Sequence, residues 1–394
     1  MDGRRANRNA ASRVALVAVV GATLVLGVAM ACGPGNIGDL TSGRLDSGAS
    51  EAAVAVDADV CVHAGPAERP DGGDGASIAD LVFAADEIRI DTGDFDAGLP
   101  KPESIDLDRT CSCVEPPSCV APADAGAPVC DGPDGRDNVS GPLLGTLALL
   151  LPALDPAFLT QRIRQGVYGI LLSVQKWNGQ PNDPDVVVSF RMSVGIQKDD
   201  DAVDGGAPKF DGNDVWDIDP GSIVAGDTLV GQECSAIGCI GIGSDVAAYV
   251  RDGVLVARFD ELPLTVSVGS GRLVLPFIGT VLMARITQDG AGYRIRGELA
   301  GRWRAADILA GSAAIRDPIT NTSLCGNPET YGYFKRSVCS SVDLAGSPAD
   351  DRTGAPCTAL SEAVAFSARP AKLGKVRQLT QPPVDCPDFK DTCP

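Results

Sequence analysis

The chain has 394 residues, with 33 Lys and Arg against 52 Asp and Glu for a net charge of −19, and it carries 13 cysteines but a single histidine. So acidic a surface is repelled by phosphate backbones, which excludes nucleic acid as a partner. The lone imidazole, His63 beside Cys61 and Gly65-Pro66, leaves no Ser-His-Asp triad, His-liganded zinc or Cys-His pair for the remainder of the chain.

Arg4, Arg5, Arg8 and Arg13 lead into the uncharged run Val14 to Ala31, followed by Cys32 and Gly33-Pro34-Gly35. A positive segment, an apolar segment, a small residue at the cut and a cysteine that carries lipid is the order of a bacterial lipoprotein signal. Residues 1–31 are therefore expected to be removed, and Cys32 to take the fatty acids (palmitate among them) that tether the chain to the membrane. A plain secretory signal and an uncleaved anchor are the alternatives, and Gly21, Thr23 and Gly27 argue against the anchor. Gly33, where inner-membrane lipoproteins often carry aspartate, points to the outer membrane of the cell envelope.

Setting Cys32 aside leaves twelve cysteines, an even number for a compartment in which disulfides persist. No C-x-x-C pair occurs, so thiolate zinc is not expected. Local spacing suggests the pairs Cys234–Cys239, Cys325–Cys339 and Cys386–Cys393, leaving Cys357 to join the N-terminal cysteines.

Residues 33–132 hold 5 basic against 20 acidic side chains. Residues 32–76, with stretches such as Asp71-Gly72-Gly73-Asp74-Gly75, are too poor in apolar surface to fold and are expected to form a flexible acidic stalk. Residues 77–132 combine one or two strands (Ile78 to Phe83, then Ile88 and Ile90) with a lobe stapled through Cys111, Cys113, Cys119 and Cys130. Residues 133–380 form the main domain, and 381–394 a cysteine-containing tail.

In the main domain, Asp155-Pro156 and Gly166 bracket a helix over Ala157 to Gln165 as N-cap, first-turn proline and C-terminal glycine. The run Leu143 to Leu151 is too short to span a membrane. Period-two alternation predicts strands at Val167 to Val174 and Val186 to Val194, joined as a hairpin by a polar loop. Further strands are expected at Val246 to Val250, Val254 to Phe259, Leu262 to Val268 and Leu273 to Thr287. The last forms a hairpin with Tyr293 to Arg304 across Asp289-Gly290. Short helices at Ala305 to Ile315 and Tyr331 to Cys339 complete a mainly β fold: an antiparallel β-sandwich or jelly-roll-like domain with a few short helices and a disulfide-stapled N-terminal lobe.

Two clusters are candidates for ligand binding. Trp216 lies among Asp211, Asp214 and Asp217, an arrangement suited to stacking on a sugar ring or to holding Ca2+ through oxygen ligands. The ordinary alternative is a turn whose indole plugs the core. Arg294, Arg296, Arg302 and Arg304 share one face of a strand, with Arg285 on its partner, and arginine forks grip carboxylates or sulfates. An acidic polysaccharide is one candidate ligand there and the protein's own stalk another, and the ordinary alternative is a solvated outer face that discourages edge aggregation.

The succession Asp137-Asn138, Trp177-Asn178-Gly179, Phe210 to Trp216, Gly297 to Arg302, Leu324-Cys325 and Val338-Cys339 resembles a group of uncharacterised exported lipoproteins from large-genome, high-GC soil bacteria, over most of the chain after residue 77. The resemblance implies a shared fold and an envelope address and no particular activity. Together these readings lead to the expectation of a lipid-anchored envelope protein that acts without catalysis, by binding polysaccharide or another envelope protein or by structural display, with no resident cofactor. The alternative is a carbohydrate-active enzyme, a glycosidase or lyase, using two of Glu233, Glu261, Glu298, Glu329 and Glu362.

Overall fold

The computed structural model describes residues 61–73, 75–78, 80–90, 102–122, 129–149, 151, 154–197, 206–235, 238–268, 271–290, 292–316, 322–379 and 385–394. The signal segment and Cys32 lie outside the described residues. Among these residues no helix is long and apolar enough to cross a membrane.

The fold is mainly β, as expected. The described residues form eleven strands: β1 (Leu81–Ile90), β2 (Gly169–Gln175), β3 (Asp183–Ile196), β4 (Val215–Ile218), β5 (Gly243–Arg251), β6 (Val254–Val268), β7 (Gly271–Asp289), β8 (Gly292–Arg304), β9 (Leu344–Ala345), β10 (Cys357–Pro370) and β11 (Lys372–Val376). Antiparallel ladders run β3-β2-β1-β10-β8-β7-β6-β5, and β5 pairs back onto β3, so eight strands close a ring with no free edge along it. β3 serves two neighbours on one side, β5 along its first half and β4 near its end. β4 and β11, which pair in parallel, sit outside the ring.

The period-two pattern accounts for the wall. Val186, Val188, Phe190 and Met192 of β3 enter the main core with Phe83 and Ile88 of β1 and Leu172 and Val174 of β2. The alternate residues face outward into a second layer, where Leu171 and Ala84 meet Trp216, Ile218 and Val376. Segments 254–259 and 262–268 are one continuous strand: β6 pairs with β7 from Val254↔Arg285 to Val268↔Gly271. Pro263 stands opposite Pro276 in that ladder, at a stretch where neither strand has a second partner, so the missing N–H groups break no bond.

Among the described residues four helices lie at one end of the ring: α1 (Ser140–Ala148), α2 (Pro156–Arg164), α3 (Ala305–Gly311) and α4 (Pro328–Cys339). α2 starts where expected, the Asp155 carboxylate accepting the Ala157 N–H at 2.9 Å, and ends at Gly166, whose φ of +68° suits glycine. α1 is docked by the Ser140 hydroxyl donating to the Ser361 carbonyl at 2.6 Å. α4 opens with Asn327 capping the Thr330 N–H.

The strand β1 belongs to the ring, between β2 and β10, and not to the N-terminal lobe. The expected stalk also gives way before residue 76. The Ala64 N–H donates to Asp134 O and the Asp106 N–H to Ala64 O, both at 2.9 Å. Arg69 donates to the Pro184 and Ala247 carbonyls, and the Tyr249 hydroxyl to Ala67 O. Backbone pairing and one guanidinium fix a segment whose composition offers little apolar surface.

All twelve cysteines after Cys32 are paired. Cys234–Cys239 forms as expected, and Cys357 joins the N-terminal Cys119. The expected pairs Cys325–Cys339 and Cys386–Cys393 are replaced by Cys325–Cys386 and Cys339–Cys393. The reason is α4: its 12 residues, at ~1.5 Å each, make a rigid rod about 18 Å long, with Cys325 just before its start and Cys339 at its end, so the two cysteines belong to opposite ends of the helix. The tail runs along the helix instead and is bonded at both ends.

Candidate functional site

Residues 102–122 and 129–137 lie over the outer face of β8 and β10. Ile105 packs there on Ala300 and Ala363, with Leu107, Val281 and Met283 around them, and the alanines leave room for the covering chain. Disulfides Cys61–Cys111, Cys113–Cys130 and Cys119–Cys357 hold this lobe, and the Asp137 N–H donates to Ile105 O at 3.0 Å.

Those links bring Asp106, Asp108 and Asp137 together. All three are buried, and each offers a carboxylate oxygen within 4.8 Å of the other two. The Thr110 N–H donates to Asp106 Oδ1 at 3.1 Å and to Asp108 Oδ1 at 2.9 Å. The Ser118 hydroxyl donates to Asp108 Oδ2, and the Leu107 N–H to Asp137 Oδ2 at 2.6 Å. His63 Nδ1 contacts Asp106 Oδ2. Asp131 stands next to the group, accepting the Ser112 N–H at 2.6 Å, and Asp343 accepts the Ser361 N–H at 2.8 Å.

Crowded, desolvated carboxylates resist ionisation. Burial pushes Asp108 up to about 6 and Asp343 up to about 7, and it raises Asp131. Asp137 is raised well above the usual carboxylate range by burial and then by Asp108, Asp343 and Asp131. Gly135 makes the close approach possible: its φ is +70°, and a Cβ there would lie 2.7 Å from Asp106 Oδ2. Cys61, His63 and Cys111 also converge, but the two sulfurs are joined to each other and cannot ligate.

The arginine row is present on β8, but three of its four members are occupied within the fold. Arg302, fully buried, places Nη1 and Nη2 each 2.6 Å from the Asp351 carboxylate and donates also to Ala345 O and Leu107 O. Arg294 donates to the Ser367 hydroxyl, with Asp86 at 3.6 Å, and Arg304 pairs with Asp307 at 2.6 Å. Arg296 is exposed and stands directly opposite Arg285, which therefore extends the row.

Trp216 does not line an opening. It is 0% exposed, packed in the outer layer against Gly169, where a Cβ would come within 2.9 Å of the indole. The neighbouring carboxylates serve the backbone: Asp211 accepts the Asn213 N–H at 2.9 Å, Asp214 those of Lys209 and Phe210, and Asp217 that of Lys375, with Arg377 3.1 Å away.

The five glutamates stand on separate elements. Glu298 faces the lobe, accepting the Glu103 N–H at 2.9 Å, and burial raises its pKa. Glu362 lies in β10 opposite Gly301, on the inner side of the same wall, so these two do not flank a common space. Glu233 lies 3.6 Å from Lys375, and Glu261 and Glu329 are exposed. Beneath the helices the core keeps an apolar cavity of about 90 Å3, lined by Leu143, Leu147, Ile90, Phe334 and Val364 among others. That is smaller than the ~150 Å3 hole that admits benzene and well below the ~300 Å3 of ordinary ligand pockets, so it is space left by core packing.

The carboxylate group of the lobe is thus the concentration of chemistry that the fold assembles and its own packing does not use up. No family model, curated protein or solved structure matches the chain.

Proposed function

We propose that this is an exported, lipid-anchored protein of the bacterial cell envelope, tethered through Cys32 to the outer membrane, that acts without catalysis as a binding or display module. The observation that carries the reading is the cysteine pairing. Six disulfides consume every cysteine except the one reserved for lipid, and such a set persists only outside the reducing cytoplasm. Acidic polysaccharide at the exposed Arg285 and Arg296, or another envelope protein, is the partner class that suits the surface. The likeness to exported lipoproteins of high-GC soil bacteria agrees with this address.

Mass spectrometry of the protein from its native membrane tests the anchor: the mature chain begins at acylated Cys32 and yields six linked peptide pairs, and a Cys32→Ser variant is released from the membrane. Recovery of Met1 with twelve free thiols overturns the reading. A glycan array combined with a reducing-sugar assay tests the absence of catalysis. Turnover abolished by one Glu→Gln change supports the carbohydrate-active alternative instead.

A further inference from the structure

We propose that the N-terminal lobe holds a calcium ion between Asp106, Asp108 and Asp137, with Thr110 beside them as a fourth oxygen donor. The inference goes beyond the envelope role and does not depend on whether Cys32 carries lipid. Calcium binds oxygen ligands at about 2.4 Å, so one ion touches oxygens up to about 4.8 Å apart, the spacing within which these three carboxylates lie.

A group of acids alone does not make a site, and the second observation is a pair of buried oxygens that no N–H or hydroxyl group of the fold satisfies. Asp137 is 1% exposed and its Oδ1 receives no N–H or hydroxyl donor, its side-chain neighbour being another acid, Asp131, and its carboxyl lies within ligand distance of the other two. Thr110 is 3% exposed and its hydroxyl is likewise without a partner, while its N–H is held between Asp106 and Asp108. Buried oxygens of this kind are rare in folded proteins because each forfeits its hydration. An ion at the centre of the group supplies the counter-charge that the Asp137 carboxyl lacks and lies beside Thr110, whose N–H already faces two of the three acids.

The charge argues the same way. Among the described residues the only basic side chain within ion-pair distance of the three carboxylates is His63 at Asp106. The neighbouring Arg136 and Arg352 guanidinium groups are turned to main-chain carbonyls, of Ser104 and of Asp108 and Arg109. A hard, all-oxygen donor set of excess negative charge selects calcium over zinc or copper.

The test uses the mature protein with its disulfides intact, stripped with chelator and titrated with CaCl2 by calorimetry, alongside thermal unfolding with and without the ion. One site is expected, in the ~10⁻⁴–10⁻³ M range of extracellular modules, together with a rise in Tm. Asp137→Asn weakens binding at least about tenfold. Thr110→Val, which removes no charge, weakens it less and serves as the reading if Asp137→Asn does not fold. Asp211→Asn, in the exposed turn near Trp216, leaves affinity unchanged. The proposal is overturned by the absence of heat and of a Tm shift up to about 10 mM CaCl2, by wild-type affinity in both Asp137→Asn and Thr110→Val, or by MgCl2 binding as tightly as CaCl2.

Discussion

Replacing Arg302 by Met removes a guanidinium that joins four parts of the molecule: β8, which carries it, Ala345 of β9, Leu107 of the lobe and the Asp351 loop. Its side chain is 1% exposed and that of Asp351 11%. Breaking one half of such a buried pair costs about 3–5 kcal/mol, because the remaining charge is left desolvated. The two orphaned carbonyls add to this, the one nearer the surface regaining water, so about 4 kcal/mol is expected out of a total stability of ~5–15 kcal/mol. Arg302→Lys keeps the charge without the fork and loses about half as much. In Arg302→Met/Asp351→Leu no charge is stranded, and stability returns to within about 1–2 kcal/mol of wild type. Urea unfolding of the oxidised protein, followed by circular dichroism at unchanged m value, measures all three variants. A single mutant within about 1 kcal/mol of wild type, or a double mutant no more stable than the single, refutes the assignment of Arg302 as an internal tie.

Three further outcomes are expected. Cys119→Ala/Cys357→Ala opens a loop spanning 238 positions and lowers stability by about 5 kcal/mol in the chain-entropy model, against about 3 kcal/mol for Cys113→Ala/Cys130→Ala with its span of 17, as read by denaturant midpoints. In chelated protein, Asp343 at about 7 and Asp108 at about 6 lie above their ordinary value of 3.8, so the folded state holds protons that the unfolded state has released. Stability therefore declines as pH rises from about 4 to about 7, and a Tm that climbs over that window contradicts the raised pKa values. Gly169→Ala drives a methyl into the Trp216 ring at 2.9 Å and costs about 1–3 kcal/mol, seen as a fall in Tm with a disturbed near-ultraviolet Trp signal.

Much of the wall was legible because its strands alternate. Val186 to Val194 and the Asp289-Gly290 hairpin carry the period and the turn chemistry on their face, and α2 carries both of its boundaries in Asp155 and Gly166. β10 was not legible. Ala359-Leu-Ser-Glu-Ala-Val-Ala-Phe-Ser-Ala has one β-branched residue, and its small side chains are required by what covers them: Ala363 lies under Ile105, and Ser361 is held by Asp343. Closure of the ring depends on β3 meeting β5, a long-range pairing that no local pattern encodes. The carboxylate group was missed for a related reason, since Asp106-Leu-Asp108 and Asp137 are about thirty residues apart in the chain and meet only through backbone bonds and disulfides. The visible acidic loop around Trp216 drew attention because its acids are adjacent, yet adjacency served turns.

The disulfides divide the molecule into parts with different sources of stability. None of them joins two strands of the ring, and Cys357 at the start of β10 is the only cysteine within a ring strand. The ring has the main apolar core, while the lobe meets its outer face through one small cluster, Ile105 seated on Ala300 of β8 and Ala363 of β10. Where apolar mass is thin, covalent links supply the order. Reduction should therefore act regionally. With reductant present, amides of residues 102–122 and 129–137 and of the tail from 385 onward are expected to exchange rapidly with deuterium, while β6, β7 and β8 keep their protection. Simultaneous loss of protection in the lobe and the ring would mean that the lobe's bonds hold the wall together, and the division argued from Ile105 and its two alanine neighbours would fail.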